Sequence, residues 1–518
     1  MSSTDRTDEN GSGYHAAAAR RAGLLHLGRD GHESGASIRK LATGIAGFDH
    51  VAMGGVPAGR ATVVAGQAGS AKTVFAGQFL AEGVRAGQAG VFVTLEEPAA
   101  DLRINLQTLG FDVSAWEEAE QWRFVDASPV VRAGGSIAPY SLETLAAQVG
   151  RAVDATGADR LVLDSLNAVL ALHEDVGLAR QRLRSLIAML RGMGLTVVLT
   201  VETPGDPGGT LSPYGIEEFV ADSVVLLRNV REGSFRRRTL EVLKMRGAMH
   251  HKGDVPFTVV PGQGMVVLPI REPEQSVNLA DERMSIGDPD LDAMTGGGFF
   301  RGSCTLVSGP TGTGKTLLAT EFLDAGAKRG ERCVLFAYEE TREQVLRNAR
   351  GWGHDLEGHE RKGLLLIVPL YPEVASLDDH LVEIKAVVER FGPARIAIDS
   401  LSALERLGSA ASYREFVIGL TSFVKETGVA SLVTASAPDL LGGASVTESH
   451  ISGLIDAILL LRYVEVSSAV RRALTVLKMR GSGHDGAIRE YTIDDTGLVL
   501  GEPFPDAHGI LGRVPTSR

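Results

Sequence analysis

Cysteine is almost absent. Cys304 and Cys333 are the whole complement, and both lie in apolar, strand-like stretches. Two isolated thiols exclude a disulfide framework and a CxxC zinc site, and they read as buried free thiols. Long apolar runs are missing too. No stretch approaches the ~18 residues of a membrane span. The opening MSSTDRTDENGSGYH carries no apolar segment of a secretory signal. The expectation is a cytoplasmic protein with no membrane contact. Positive charge is in short supply: 52 Lys and Arg stand against 64 Asp and Glu, a net charge of −12. Nothing here resembles the basic footprint of a protein that coats nucleic acid. What remains is ordinary globular composition, with 44% hydrophobic and 22% charged residues, which excludes a wholly disordered chain. At 518 residues the length predicts two to four domains.

The chain repeats itself. ATVVAGQAGSAKT (61–73) is answered by CTLVSGPTGTGKT (304–316), with the lysines 243 residues apart. GVFVTLEE (90–97) is answered by CVLFAYEE (333–340) at the same offset. RLVLDSLNAVL (160–170) is answered by RIAIDSLSAL (395–404), and LEVLKMRGAMHHKG (240–253) by LTVLKMRGSGHDGA (474–487). Four blocks in one order mean a duplicated domain. The division predicted is a disordered arm over 1–36, a first domain over 37–267, a linker over 268–284, a second domain over 285–500 and a tail over 501–518. Short apolar runs such as GVFVTL and LTVVLTVE alternate with helical stretches such as ARQRLRSLIAMLRGMG. That pattern predicts an α/β fold in each copy, a parallel sheet flanked by helices. RTLEVLKMRG and GMVVLPI read as antiparallel strands added at the edge.

Gly309-Pro-Thr311-Gly312-Thr313-Gly314-Lys315-Thr316 fits G-x-x-x-x-G-K-[ST] between a strand and a helix. Backbone N–H groups of such a loop close around phosphate, helped by the helix dipole. Lys315 reaches the β- and γ-phosphates of ATP, and Thr316 is placed to ligate Mg²⁺. The first copy reads Gly66-Gln-Ala-Gly69-Ser70-Ala71-Lys72-Thr73. Ala71 replaces the glycine before the lysine, which is tolerable at negative φ and strained at positive φ.

Asp164 and Asp399 end apolar strands, where they could share the Mg²⁺ with Thr73 and Thr316; helix N-capping is the alternative. Glu96-Glu97 and Glu339-Glu340 follow the second strand of each copy and are candidate catalytic carboxylates. Adjacent strand residues face opposite ways, so at most one of each pair aims at the γ-phosphate; the alternative is a solvated acidic turn. Lys244 with Arg246, and Lys478 with Arg480, are spaced to share a strand face. Far along the chain from the P-loops, they suit fingers reaching a neighbouring subunit's phosphate, as does Arg406. A solvated basic strand edge is the alternative.

Tandem copies with a P-loop, a double Glu, a DS strand end and a KMRG strand resemble the KaiC family of circadian ATPases and autokinases. The most specific segment is Thr447-Glu448-Ser449-His450-Ile451-Ser452-Gly453. The resemblance implies two tandem RecA-like P-loop NTPase domains and a homohexamer with ATP at the subunit boundaries. It further implies a slow ATPase first ring and a second ring that phosphorylates its own subunits. By position, Glu339 would be the general base, Ser452 the acceptor, with Thr447 and Ser449 as minor acceptors, and Arg406, Lys478 and Arg480 interface contacts. The family's second acceptor position is Gly453 here, so a two-site phosphorylation cycle cannot run unchanged. The sequence closes on GILGRVPTSR, so the expectation is a KaiB-like or signalling partner and no KaiA-type activator. Two rivals remain: a RecA/RadA-type DNA-repair ATPase, for which LRNVREGSFRRRTLEV (227–242) is the candidate basic loop, and a nucleotide-gated scaffold without kinase activity.

Overall fold

The computed structural model describes residues 38–127, 142–170, 176–203, 221–270, 281–436, 451–466 and 469–504. The expected arm, most of the expected tail, and Thr447 and Ser449 lie outside them. From Lys40 onward the chain forms one compact unit built on two nine-stranded sheets of matching order.

Ala61–Gly66 and Cys304–Gly309 are buried at every position, as expected of strands covered on both faces. Each is central in its sheet. On one side of Ala61–Gly66 come, in parallel, Thr196–Glu202, Arg160–Asp164, Gly90–Thr94 and Trp122–Asp126. On the other side Ser223–Glu232 pairs in parallel, and then Phe235–Met245, Val255–Val260 and Gly264–Val267 continue antiparallel. The second sheet repeats this order, from Leu365–Pro369 at one edge to Gly497–Pro503 at the other. These are two RecA-like P-loop sheets in tandem, as the sequence predicts. Each carries an apolar core on either face. On the P-loop helix Lys72–Arg85, Phe75, Phe79, Leu80 and Val84 supply the helical apolar stripe.

Three segments depart from expectation. Residues 227–242 are not a loop. They form most of a β-hairpin whose strands, Ser223–Glu232 and Phe235–Met245, turn at Gly233-Ser234 with φ +59° at Gly233. At the start of the expected linker, Leu268 is buried in the second half's core. At its end, Arg283–Met284 pairs with Phe299–Phe300. The final strand also runs three residues past 500, to Pro503.

The hairpin ties the halves together. Arg237 reaches Asp378 at 3.0 Å and Glu415 at 2.7 Å. Glu232 accepts the N–H of Ser409 at 2.8 Å and the hydroxyl of Ser412. From the next strand, Val255–Val260, Thr258 donates to Asp379.

Candidate functional site

Each P-loop joins the end of a buried strand to the start of a helix. Lys72 Nζ donates to the carbonyls of Gly66 and Gln67, both at 2.9 Å. Lys315 does the same to Gly309 at 2.8 Å and Pro310 at 2.9 Å. Burial lowers the proton affinity of both lysines, countered by Glu202, Asp164 and Glu96 around Lys72 and by Asp399 and Glu339 around Lys315. A Cβ on Gly66 would strike the Leu227 carbonyl, and one on Gly309 the Leu461 carbonyl. Gly69, Gly312 and Gly314 all have positive φ. Ala71 does too, at +68°, so the strained case applies to it.

The acidic residues converge on the loops. Asp164 Oδ2 accepts the Thr73 hydroxyl at 2.8 Å, and Asp399 Oδ2 accepts that of Thr316 at 2.7 Å. Their other oxygens accept from Thr200 and Thr434. Asp399 does not cap the following helix; Ser400 holds that position and makes no side-chain cap bond. The double glutamates divide. Glu96 accepts from Ser165 at 2.5 Å and Glu339 from Ser400 at 3.1 Å, so both turn toward the DS strand ends. Glu97 and Glu340 turn to Asn105 and Asn348 on the following helices. Burial raises the pKa of Glu97 and Glu340, reinforced by Asp164 and Asp399 respectively.

The candidate cations fall into two groups. Lys478 donates to the carbonyls of Ser452 at 2.7 Å and Ile455 at 2.6 Å, and Arg480 to that of Gly453 at 2.5 Å. Burial, with Arg480 nearby, lowers the pKa of Lys478. Lys244 likewise holds the Ala221 carbonyl at 2.9 Å, and the Arg246 N–H donates to Asp222. These turns sit at the N-terminal ends of the P-loop strands: the Asp456 N–H donates to the Cys304 carbonyl and the Asp222 N–H to that of Ala61. The P-loops leave the opposite ends. Arg406 is separate from this group. It is exposed and lines a cavity of about 150 Å³ with Glu339, Glu340 and Tyr371 of its own chain.

Several neighbours of the site were not expected. Asn229 and Arg238 donate to the Gly69 carbonyl, each at 3.3 Å. Tyr463 and Tyr491 donate to the carbonyls of Thr311 and Thr313. The repeat offset contains the missed signal. Asn105 and Asn348 lie 243 apart like the P-loop lysines, and Asn229 and Tyr463 lie 234 apart like the KMRG lysines.

The donor set fits a nucleoside triphosphate: a lysine, turned backbone N–H groups, and a hydroxyl beside a carboxylate in each half. Ser70 Oγ is buried in the first loop with no hydrogen-bond partner. Among the described residues no group of three His, Cys, Asp or Glu could hold a metal. Mg²⁺ at such a site takes only one or two protein ligands besides phosphate and water, which Thr73 with Asp164 and Thr316 with Asp399 can supply.

Fold and site together define a tandem P-loop nucleoside triphosphatase. The profile of the KaiC ATPase family matches twice, over residues 41–272 and 284–503. The chain belongs to that family, and nucleotide binding comes with it. It is 50% identical over 479 residues to the circadian clock protein KaiC3 of Synechocystis sp., covering 92% of this chain and 95% of the relative. It is 44% identical over 480 residues to the circadian clock oscillator protein KaiC of Parathermosynechococcus lividus, covering 92% and 88%. The KaiC of Prochlorococcus marinus is 43% identical over 486 residues, covering 94% and 97%.

Proposed function

We propose that the chain is a homohexameric clock or timer ATPase whose second half phosphorylates Ser452 of an adjacent copy. The placement of Ser452 carries this reading. The six-residue strand Cys304–Gly309 spans about 17 Å at ~3.3 Å per residue. Ser452 lies beyond its N-terminal end and the P-loop beyond its C-terminal end, so the hydroxyl cannot meet its own P-loop's γ-phosphate. Lys478 and Arg480 hold the backbone of the same turn, and a neighbouring copy's phosphate would meet hydroxyl and cations together. The same placement of Lys244 and Arg246 supports reading them as the first half's cations toward a neighbouring copy.

The chemistry is a single displacement. Ser452 Oγ bonds to the γ-phosphorus, the bond to the β-phosphate oxygen breaks, ADP leaves, and the hydroxyl proton passes to a carboxylate. Glu339, turned toward the strand end that carries Asp399, is the base; Glu340, held by Asn348, is not. Arg406 rims the cavity beside Glu339, where an incoming acceptor turn would arrive. Thr316 and Asp399 would hold Mg²⁺, which would supply neutralising charge there. In the first half Lys72, Thr73, Asp164 and Glu96 serve hydrolysis. Gly453 leaves one acceptor where two adjacent hydroxyls would be needed for a double mark.

The relatives are circadian clock proteins, which supports a timing role, and a KaiB-like partner belongs to that reading. No helix among the described residues is long and apolar enough to cross a membrane. Two of the five arginines of 227–242 are engaged by carboxylates, which favours a structural role over a DNA-binding loop. Arg228 pairs with Glu241 at 2.6 Å and with Asp254, and Arg237 with Asp378 and Glu415. Incubation with [γ-³²P]ATP followed by site mapping tests the reading. Label on Ser452, lost in Ser452→Ala, is expected; undiminished label elsewhere would overturn Ser452 as the acceptor, and no label at all would leave a plain ATPase.

A further inference from the structure

The second P-loop helix, Lys315–Lys328, ends in a buried charge cluster remote from the phosphate chemistry. Asp324 is 2% exposed. Its Oδ2 lies 2.9 Å from His354 Nδ1 and 2.7 Å from Lys328 Nζ, and its Oδ1 lies 2.8 Å from His359 Nε2. Glu321 Oε1 accepts the Leu498 N–H at 2.6 Å and stands 3.9 Å from His354 Nε2, an ion-pair distance rather than a hydrogen bond. Glu321 Oε2, His354 Nε2 and His359 Nδ1 are buried without hydrogen-bond partners. Gly497, at φ +113°, closes the cluster; a Cβ there would strike Glu321.

Three other elements meet the P-loop helix here: the turn after helix Arg342–Gly351, helix Leu356–Arg361 and the turn into strand Gly497–Pro503. Their remaining charges are occupied elsewhere or face solvent. Asp355 caps Gly358, Arg350 pairs with Glu357, Asp494 accepts from Thr496, and Asp495 is exposed. Behind the helix, burial pushes the Cys333 thiol up to about 12, so it stays neutral.

The first half solves the same packing problem without charge. At the repeat offset, Gln78, Ala81, Phe111 and Trp116 stand for Glu321, Asp324, His354 and His359. Gln78 Oε1 accepts the Met265 N–H at 2.6 Å, as Glu321 accepts that of Leu498. Phe111 and Trp116 pack in the apolar core.

We propose that Glu321, Asp324, His354 and His359 form a clasp, closed by an imidazolium, that locks the second P-loop helix to residues 342–361 and opens in alkali while the first half stays shut. Burial alone would lower the His354 pKa, but Asp324 and Glu321 outweigh it and hold it at about 9. Burial would raise Asp324, yet its contacts with His354, Lys328 and His359 keep it well below the usual carboxylate range. The His354 contribution is therefore complete below the free imidazole value of ~6.5 and is lost as pH rises through about 9. The Asp324 contribution is lost at the other end, as pH falls below ~4.

Hydrogen exchange on the full chain at pH 7 and pH 10, corrected for intrinsic rates, tests the clasp. Segments 315–328 and 342–361 should lose about tenfold protection or more, while 72–85 and 99–118 change less than about twofold. Equal loss in both halves, or none in the second, overturns the proposal. Asp324→Asn and His354→Phe should flatten the second half's pH response, and a full response in folded variants also overturns it. Should neither variant fold, the two pH values on the unaltered chain decide.

Discussion

Ala71 shows how one methyl makes the two phosphate loops unequal. It caps the P-loop helix at φ +68°, the position that Gly314 occupies at +94° in the second half. A left-handed alanine costs about 1 kcal/mol relative to relaxed geometry. Ala71→Gly should recover about that much stability, read as a higher urea midpoint for the first half. The reverse change, Gly314→Ala, should be worse, because its methyl would also press on Ile493. The carboxylate pairs make a second residue-scale prediction. Glu339→Gln should slow label incorporation by ~10²–10⁴ while leaving nucleotide affinity unchanged, because it removes a base without touching the loop. Glu340→Gln, whose side chain is occupied by Asn348, should slow incorporation far less; an equal loss would reverse the assignment.

At the scale of elements, the P-loops, DS strand ends and double glutamates were legible because their local sequence dictates their geometry. An apolar strand, a glycine turn and a helix start are all contiguous. The hairpin 223–245 was not. Its arginine content read as a basic loop, although Gly233-Ser234 is a two-residue hairpin turn signal. What stabilises those arginines lies far away in sequence: Arg237 meets Asp378 and Glu415 across the halves. Asp378 is 7% exposed, so Arg237→Ala strands a buried carboxylate. That should cost about 3–5 kcal/mol, measured by urea unfolding. Arg237→Lys should recover part of it; no change in either variant would make the tie a surface contact only. Arg406 stands apart from Lys478 and Arg480 because it directly follows the short helix after Asp399, at the P-loop end of its own sheet beside Glu339.

For the whole molecule, duplication gives two nucleotide sites on one scaffold, and sequence drift has made them different. Lys72→Ala should mainly lower steady-state hydrolysis and assembly, and Lys315→Ala should mainly abolish self-labelling. Nucleotide at ~100 times its dissociation constant adds about 2.7 kcal/mol to the form that binds it, so light scattering should find hexamers favoured by ATP and Mg²⁺. A monomer under both conditions would remove the interface. The central claim is that phosphate crosses from one copy to the next. The most direct measurement mixes two variants of different tagged size, Lys315→Ala, unlabelled alone, and Ser452→Ala, with at most minor label alone, and adds [γ-³²P]ATP. The account predicts label on the Lys315→Ala chain, which keeps the acceptor and borrows its neighbour's P-loop. A mixture of exchanged subunits without label, or label mainly on the Ser452→Ala chain, would contradict it.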